Sequence, residues 1–258
     1  MKNHWRLAVL MGATFVLAQT SGAAEPVTTR PGWELGIQGS RYHYEQPDTA
    51  LDISGRRGGV VAAYTEVDDR LFTRIDARYS YGRLTYDNAG AQAHIPDHLF
   101  EARAVTGADF VPGGWVSISP YIGLGYRYVD DDARGYATDS TGASLGYRRY
   151  SQYVYVPVGV TLRLGAGGFA LAPNLEYDGF ISGRQRNKLT DMGAAQDQDF
   201  DQRHGRGYRA SLMIESGHLA FGPWAHYWRV RDSDVNSAGL VEPASRTREY
   251  GIEVRYRF

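Results

Sequence analysis

From Trp33 onward the chain alternates, with apolar or aromatic residues at every second position and polar ones between them. That period of two is the period of a β-strand whose two faces meet different surroundings, and it is not the 3.6-residue period of a helix. The first run sets Trp33, Leu35 and Ile37 against Glu34 and Gln38. Further strands are predicted over Arg57 to Glu66, Leu71 to Tyr86, Leu99 to Val111, Val116 to Tyr128, Tyr153 to Arg163, Phe169 to Asp178, Tyr208 to Glu215 and Leu219 to Arg231. The facing of the Leu219 strand, which carries Trp224 and Trp228, is not set by its pattern. The last strand runs from Arg248 to Phe258. Tight reversals stand at Val67-Asp68-Asp69-Arg70, Pro112-Gly113-Gly114, Gly165 to Gly168 and Gly217-His218. Longer polar connections are expected over Glu45 to Ser54, Asp87 to His98, Asp130 to Gly146, Gln185 to His204 and Asp232 to Arg246. The fold class this predicts is all-β, an up-and-down antiparallel barrel of about ten strands with short turns at one end and long loops at the other.

The polar face is charged. Arg74, Asp76 and Arg78 alternate with Ile75, Ala77 and Tyr79, and the same pattern places Glu101, Arg103, Asp109, Glu176, Asp178, Arg209, Glu215, Glu253 and Arg255 opposite apolar neighbours. Such a face suits a polar barrel interior better than the core of a soluble sandwich. A soluble up-and-down barrel of the lipocalin type remains the alternative, with its apolar face turned inward. In a narrow membrane barrel these mixed charges fill the lumen as an ion-pair network. A weaker expectation is a constricted conduit for small solutes.

Composition narrows the class. There is no cysteine, so no disulfide framework and no thiolate chemistry is available. The 19 tyrosines and 31 glycines, against 4 methionines, describe an aromatic, turn-rich β-chain. Beyond the N-terminal stretch no run is long and apolar enough for a membrane helix. The formal net charge of −1 gives no reason to expect a nucleic-acid partner. The first residues read as a secretory leader: basic Lys2 and Arg6, apolar Leu7 to Leu17, then small residues before Glu25. A signal peptide over residues 1–24 and a barrel domain over 25–258 are expected, with the mature protein exported to the periplasm or beyond.

The chain ends Tyr250, Ile252, Val254, Tyr256, Phe258 on one face, with Glu249, Gly251, Glu253, Arg255 and Arg257 on the other. This ending resembles the C-terminal strand of bacterial outer-membrane β-barrels. The resemblance implies recognition by the barrel assembly machinery through Tyr250, Ile252, Val254, Tyr256 and Phe258, and residence in the outer membrane of a Gram-negative bacterium. Only this strand is specific; the rest of the mature chain agrees by pattern, and no subfamily's functional residues transfer. Strand number also invites comparison with the omptin proteases, which use paired aspartates and an Asp-His pair at the barrel mouth. Here Asp76 and Asp178 stand alone on the inward face, and no Asp-x-His pairing marks an outer strand end.

Candidate chemistry is sparse. His43, His94, His98, His204, His218 and His226 show no zinc spacing and fall mainly in expected loops or strand ends, so no metal or cofactor is expected. No nucleophile elbow or phosphate loop occurs, and a barrel hydrolase is the least favoured reading. The basic residues are more unusual: outside the leader Lys188 is the only lysine. Arginine's planar fork matches phosphate bidentately where lysine is a point charge. Arg127, Arg148, Arg149, Arg184, Arg186, Arg206, Arg229 and Arg231 lie toward the expected outer ends, and a rim contacting lipopolysaccharide is expected there. The function expected is a structural or surface-interaction barrel, with a narrow porin as the alternative; a surface partner is not identified by the pattern.

Overall fold

In the computed structural model, which describes residues 27–88, 91–136 and 146–258, every strand pairs antiparallel with its neighbours and the first pairs with the last. The segments are β1 (Gly32–Glu45), β2 (Leu51–Asp68), β3 (Leu71–Asn88), β4 (Ala91–Ala108), β5 (Phe110–Gly113), β6 (Val116–Asp132), β7 (Arg148–Ala166), β8 (Phe169–Asn187), β9 (Gln198–Gln202), β10 (Gly205–Ser216), β11 (Leu219–Val230) and β12 (Ser245–Arg257). β5 continues the line of β4 past Asp109, and β9 and β10 both pair with β8, so the segments make a closed barrel of ten staves. Closure leaves no free sheet edge, as a structure that spans lipid requires. The expected leader lies outside the described residues.

Reversals at the short-turn end are built for tightness. Gly167 and Gly168 both hold positive φ between β7 and β8, the twist that a two-residue hairpin demands. Asp69 takes the same region at φ 54° between β2 and β3.

The apolar alternation faces outward. Trp33, Leu35, Ile37, Ile75, Ile122, Leu124, Leu175, Ile252 and Phe258 are all exposed on the outer wall, Ile252 at 65% and Phe258 at 66%. Their inward neighbours Glu34, Arg78, Glu101, Glu176, Arg209 and Glu253 are buried. The facing left open by sequence is now set: Ala220, Gly222, Trp224, Trp228 and Val230 of β11 point in, and Leu219, Phe221 and Ala225 point out.

The strands run further than expected at the loop end, because there the alternation inverts. Above the outermost outward tyrosines, the inward residues become apolar: Tyr42, Tyr44, Leu51, Ile53 and Leu84 form one buried cluster, with Ile95 and Leu99 also fully covered. Outward positions at that level are polar, such as Ser54, Arg83, Thr85 and His94. Much of the expected loop Glu45 to Ser54 is therefore strand, and so is most of Asp87 to His98, which carries His94 and His98 on the outer face of β4. The Gln185 to His204 connection contains a 3-10 turn, Leu189–Met192, and β9. A bulge at Ile181, where Tyr155 opposes Phe180 and Val154 opposes Ser182, resets the facing of β8 so that Gln185 and Asn187 point in.

This sleeve above the lipid band should behave as an ordinary packed core. Leu84→Ala should cost about 2–5 kcal/mol, and Arg83→Ala next to it less than about 0.5 kcal/mol, in urea unfolding of the detergent-folded protein. Equal effects would mean the facing is wrong.

Candidate functional site

The interior is the place where polar chemistry collects. At the short-turn end Asp109, on the break between β4 and β5, accepts from the Thr29 backbone (2.7 Å) and hydroxyl (2.9 Å) and from Ser119 (2.5 Å). Arg163 donates to Thr29 at 3.1 Å, so the segment before β1 is tied across this end of the barrel. Above it Glu34 takes Arg74 at 2.6 Å together with Arg257 and Arg255, while Arg255 also reaches Glu253 at 2.5 Å. Arg103 bridges Asp76 (3.0 Å) and Glu176 (2.6 Å).

At mid-barrel the contacts cross from wall to wall. Glu101 on β4 receives Arg78 of β3 at 2.7 Å, Arg209 of β10 on the far side, and the Tyr155 hydroxyl at 2.7 Å, with Arg127 at 3.7 Å. Arg209 also meets Glu176 (2.9 Å) and Asp178 (3.0 Å). Tyr155 can lie over the neighbouring β6 to reach Glu101 because Gly125 is its cross-strand partner; a Cβ there would lie 2.2 Å from its ring. Glu249 of β12 takes Arg78 at 3.2 Å and Ser40 at 2.9 Å. One step outward Arg57 binds Asp97 at 2.5 Å and lies 3.4 Å over the Tyr42 ring, and Arg149 binds Asp131 at 2.6 Å. At the loop end Glu242, from the connection before β12, is buried and accepts from Gln46 (2.5 Å) and Asn187 (3.0 Å).

All twelve lumen residues named from sequence, Arg74, Asp76, Arg78, Glu101, Arg103, Asp109, Glu176, Asp178, Arg209, Glu215, Glu253 and Arg255, lie on the interior wall, and Glu215 stands 3.6 Å from Arg163. The two aspartates expected to stand alone do not: Asp76 is held by Arg103, and Asp178 shares Arg209 with Glu176. A second pair of inward carboxylates, Asp97 opposite Asp131 across β4 and β6, each held by its own arginine, was hidden inside two expected loops. Glu34, Arg57, Glu249 and Arg257 complete the network. Their alternation with Leu35, Gly58, Tyr250 and Tyr256 was the available signal.

The expected rim divides. Arg127 and Arg149 are not on it: both are buried inside the barrel, Arg127 at 1% exposure, because each shares the inward parity of its strand. Arg148 faces out and pairs with Asp130 at 2.5 Å. Arg184 and Arg186 face out, and both pair with Asp199, whose carboxyl the hydrogen bonds from Arg186 and Arg184 hold below the usual range. Arg206, Arg229 and Arg231 are exposed, with no carboxylate partner among the described residues. Arg206 faces Arg229 across β10 and β11, and Arg229 faces Arg246 across β11 and β12. A second row was not singled out: Arg41 faces Arg56, which faces Arg83, across β1, β2 and β3. All three are exposed, and none is ion-paired to a described carboxylate.

The closed barrel fold has solved counterparts. The outer-membrane protease OmpT from Escherichia coli matches 88% of this chain and 97% of its own with a TM-score of 0.58 at 10% identity. This chain has the fold of an outer-membrane β-barrel. The translocator domain of the autotransporter NalP from Neisseria meningitidis covers 90% of each chain with a TM-score of 0.42 at 12% identity. Neisserial surface protein A covers 88% of this chain and 97% of its own with a TM-score of 0.37 at 15% identity. At these identities the likeness is one of fold. No family model and no curated protein matches the sequence.

Removing Arg209 should leave Glu101, Glu176 and Asp178 short of a shared counter-charge. Arg209→Met is expected to lower stability by about 3–5 kcal/mol in urea unfolding, with part recovered by adding Asp178→Asn. Full stability of the single variant would show that the interior is water-filled rather than packed.

Proposed function

We propose that this protein is a non-conducting outer-membrane barrel whose outer wall is anchored in the phosphorylated lipid of the outer leaflet, lipopolysaccharide, and whose loop end serves a structural or surface-interaction role. The observation that carries the reading is the pair of arginine rows, Arg41–Arg56–Arg83 and Arg206–Arg229–Arg246, in register across neighbouring strands. Like charges directly opposite one another on a sheet are destabilising. Arg246 has Glu45 at 3.7 Å; the other five have no described carboxylate partner and are therefore expected to work with an external anion. Both lie one step above the outward aromatics: Tyr81 precedes Arg83, Tyr208 follows Arg206, and Tyr227 precedes Arg229. That is headgroup level in a barrel whose aromatic girdle marks the interface, and guanidinium is the side chain that matches phosphate oxygens in pairs.

The alternative reading, a narrow porin, is disfavoured by the wall-to-wall contacts of Glu101 with Arg209 and of Arg78 with Glu249, which occupy the cross-section a solute would use.

Two outcomes test this. Arg56→Gln combined with Arg229→Gln should lose most co-purifying lipopolysaccharide and most of the heat stability that added lipopolysaccharide confers, while folding normally in plain detergent. Unchanged retention would remove the anchor. In planar bilayers the wild-type protein should give no discrete single-channel currents; regular steps would favour the porin.

A further inference from the structure

The outer wall carries an apolar groove that crosses β7, β8, β10, β11 and β12. Its floor is the cross-strand pair Ala210 and Ala225, both exposed and both on the outward parity of their strands. On the same row stand Leu175 at one side and Tyr250 at the other, 64% and 57% exposed, so two methyl groups lie between two large side chains. One row nearer the loop end, Tyr177, Tyr208 and Tyr227 form the upper wall. Tyr177 meets Tyr208 edge to face at 5.5 Å, and Tyr208 stacks on Tyr227 at 6.3 Å. The next row up sets Arg206 opposite Arg229, neither with a described carboxylate partner. Arg248, beside Tyr227, is paired with Glu45 at 3.1 Å and adds no free charge.

We propose that this groove seats one acyl chain of the phosphorylated lipid whose phosphate meets Arg206 and Arg229. The inference rests on the lipid-anchor reading above and adds the place where the lipid's hydrocarbon goes. Four residues of strand separate the arginines from the alanines, about 13 Å, so a headgroup held at the upper row sets the chain below it over Ala210 and Ala225. The tyrosines between them are apolar in body and polar at the tip, which suits the level where hydrocarbon joins its headgroup. A hollow in a lipid-facing wall forfeits dispersion contacts unless something fills it. A chain already tethered by its phosphate fills it from a high effective concentration, which a free chain does not. Charge decides against a second copy of this chain as the occupant. Two-fold pairing would bring the same patch of both copies together, setting Arg206 and Arg229 against their equivalents with no counter-charge between them.

Two probes test the groove by native mass spectrometry of the detergent-folded barrel: lipid A, the acylated and phosphorylated part of lipopolysaccharide, and the same phosphorylated disaccharide stripped of its acyl chains. Ala210→Leu combined with Ala225→Leu fills the floor and leaves the arginines in place. It should weaken lipid A binding by about tenfold, the worth of about two methylenes kept off the wall, and leave disaccharide binding unchanged. Arg206→Gln combined with Arg229→Gln should weaken both. Lipid A binding that is lost in the arginine variant but kept in the leucine variant would overturn the groove and leave the anchor standing. Binding kept in both would remove the anchor at this row together with the groove. A wild-type dimer that the leucine variant makes monomeric would give the groove to a second copy and also overturn the proposal. Should the leucine variant not fold, photolabelling of the wild-type barrel decides. Lipid A with a diazirine on an acyl chain should label Ala210 and Ala225 in preference to Leu124, an exposed residue of the outer wall on β6; even labelling of all three overturns the proposal.

Discussion

A ring of ten strands can close around charged side chains only if those charges neutralise one another, and Glu101 shows how this is done. Its carboxylate is reached by Arg78, Arg209 and the Tyr155 hydroxyl, with Arg127 behind them. An unpaired charge in that position would cost several kcal/mol, so the strands that carry these residues are held in one register by what their inward faces must meet. A one-residue slip of any strand would turn its arginines into lipid and its leucines into the network. The lumen thus does for this barrel what an apolar core does for a soluble one.

The lipid band was legible in the residues because one rule covers it: apolar outward, polar inward, as in Ile75 against Arg74 or Ile252 against Glu253. The sleeve above the band was not. There water lies outside and the interior is the drier side, so Leu51, Ile53, Leu84 and Ile95 point in while Ser54, Arg83 and His94 point out. The alternation persists with its phase reversed, and a reading tuned to a single phase takes such segments for polar loops. The same cause hid the Asp97–Asp131 pair. Arg127 and Arg149 were drawn toward the rim by their height along the strand, although alternation with Tyr126 and Tyr150 already set them inward. Trp224 and Trp228 were ambiguous because tryptophan suits a lipid interface and a lumen equally; in the lumen Trp224 lies under the Arg78 guanidinium and Trp228 meets Tyr155 edge to face.

Outside, the relation between charge and neutrality is different. Arg148, Arg184 and Arg186 have aspartates of their own, whereas Arg41, Arg56, Arg83, Arg206 and Arg229 lie beside other arginines. The barrel is self-sufficient in its interior, whereas these outer arginines have no described carboxylate partner; the proposed phosphorylated lipid would supply the missing counter-charge.

All of this depends on which face of the sheet meets lipid. Because the chain has no cysteine, single cysteines at Leu124 and Arg103 can carry a fluorophore without background. In liposomes a quencher attached to the acyl chains should extinguish the label at Leu124→Cys and spare the one at Arg103→Cys. Quenching of the Arg103 label with protection at Leu124 would contradict the account and turn the barrel inside out.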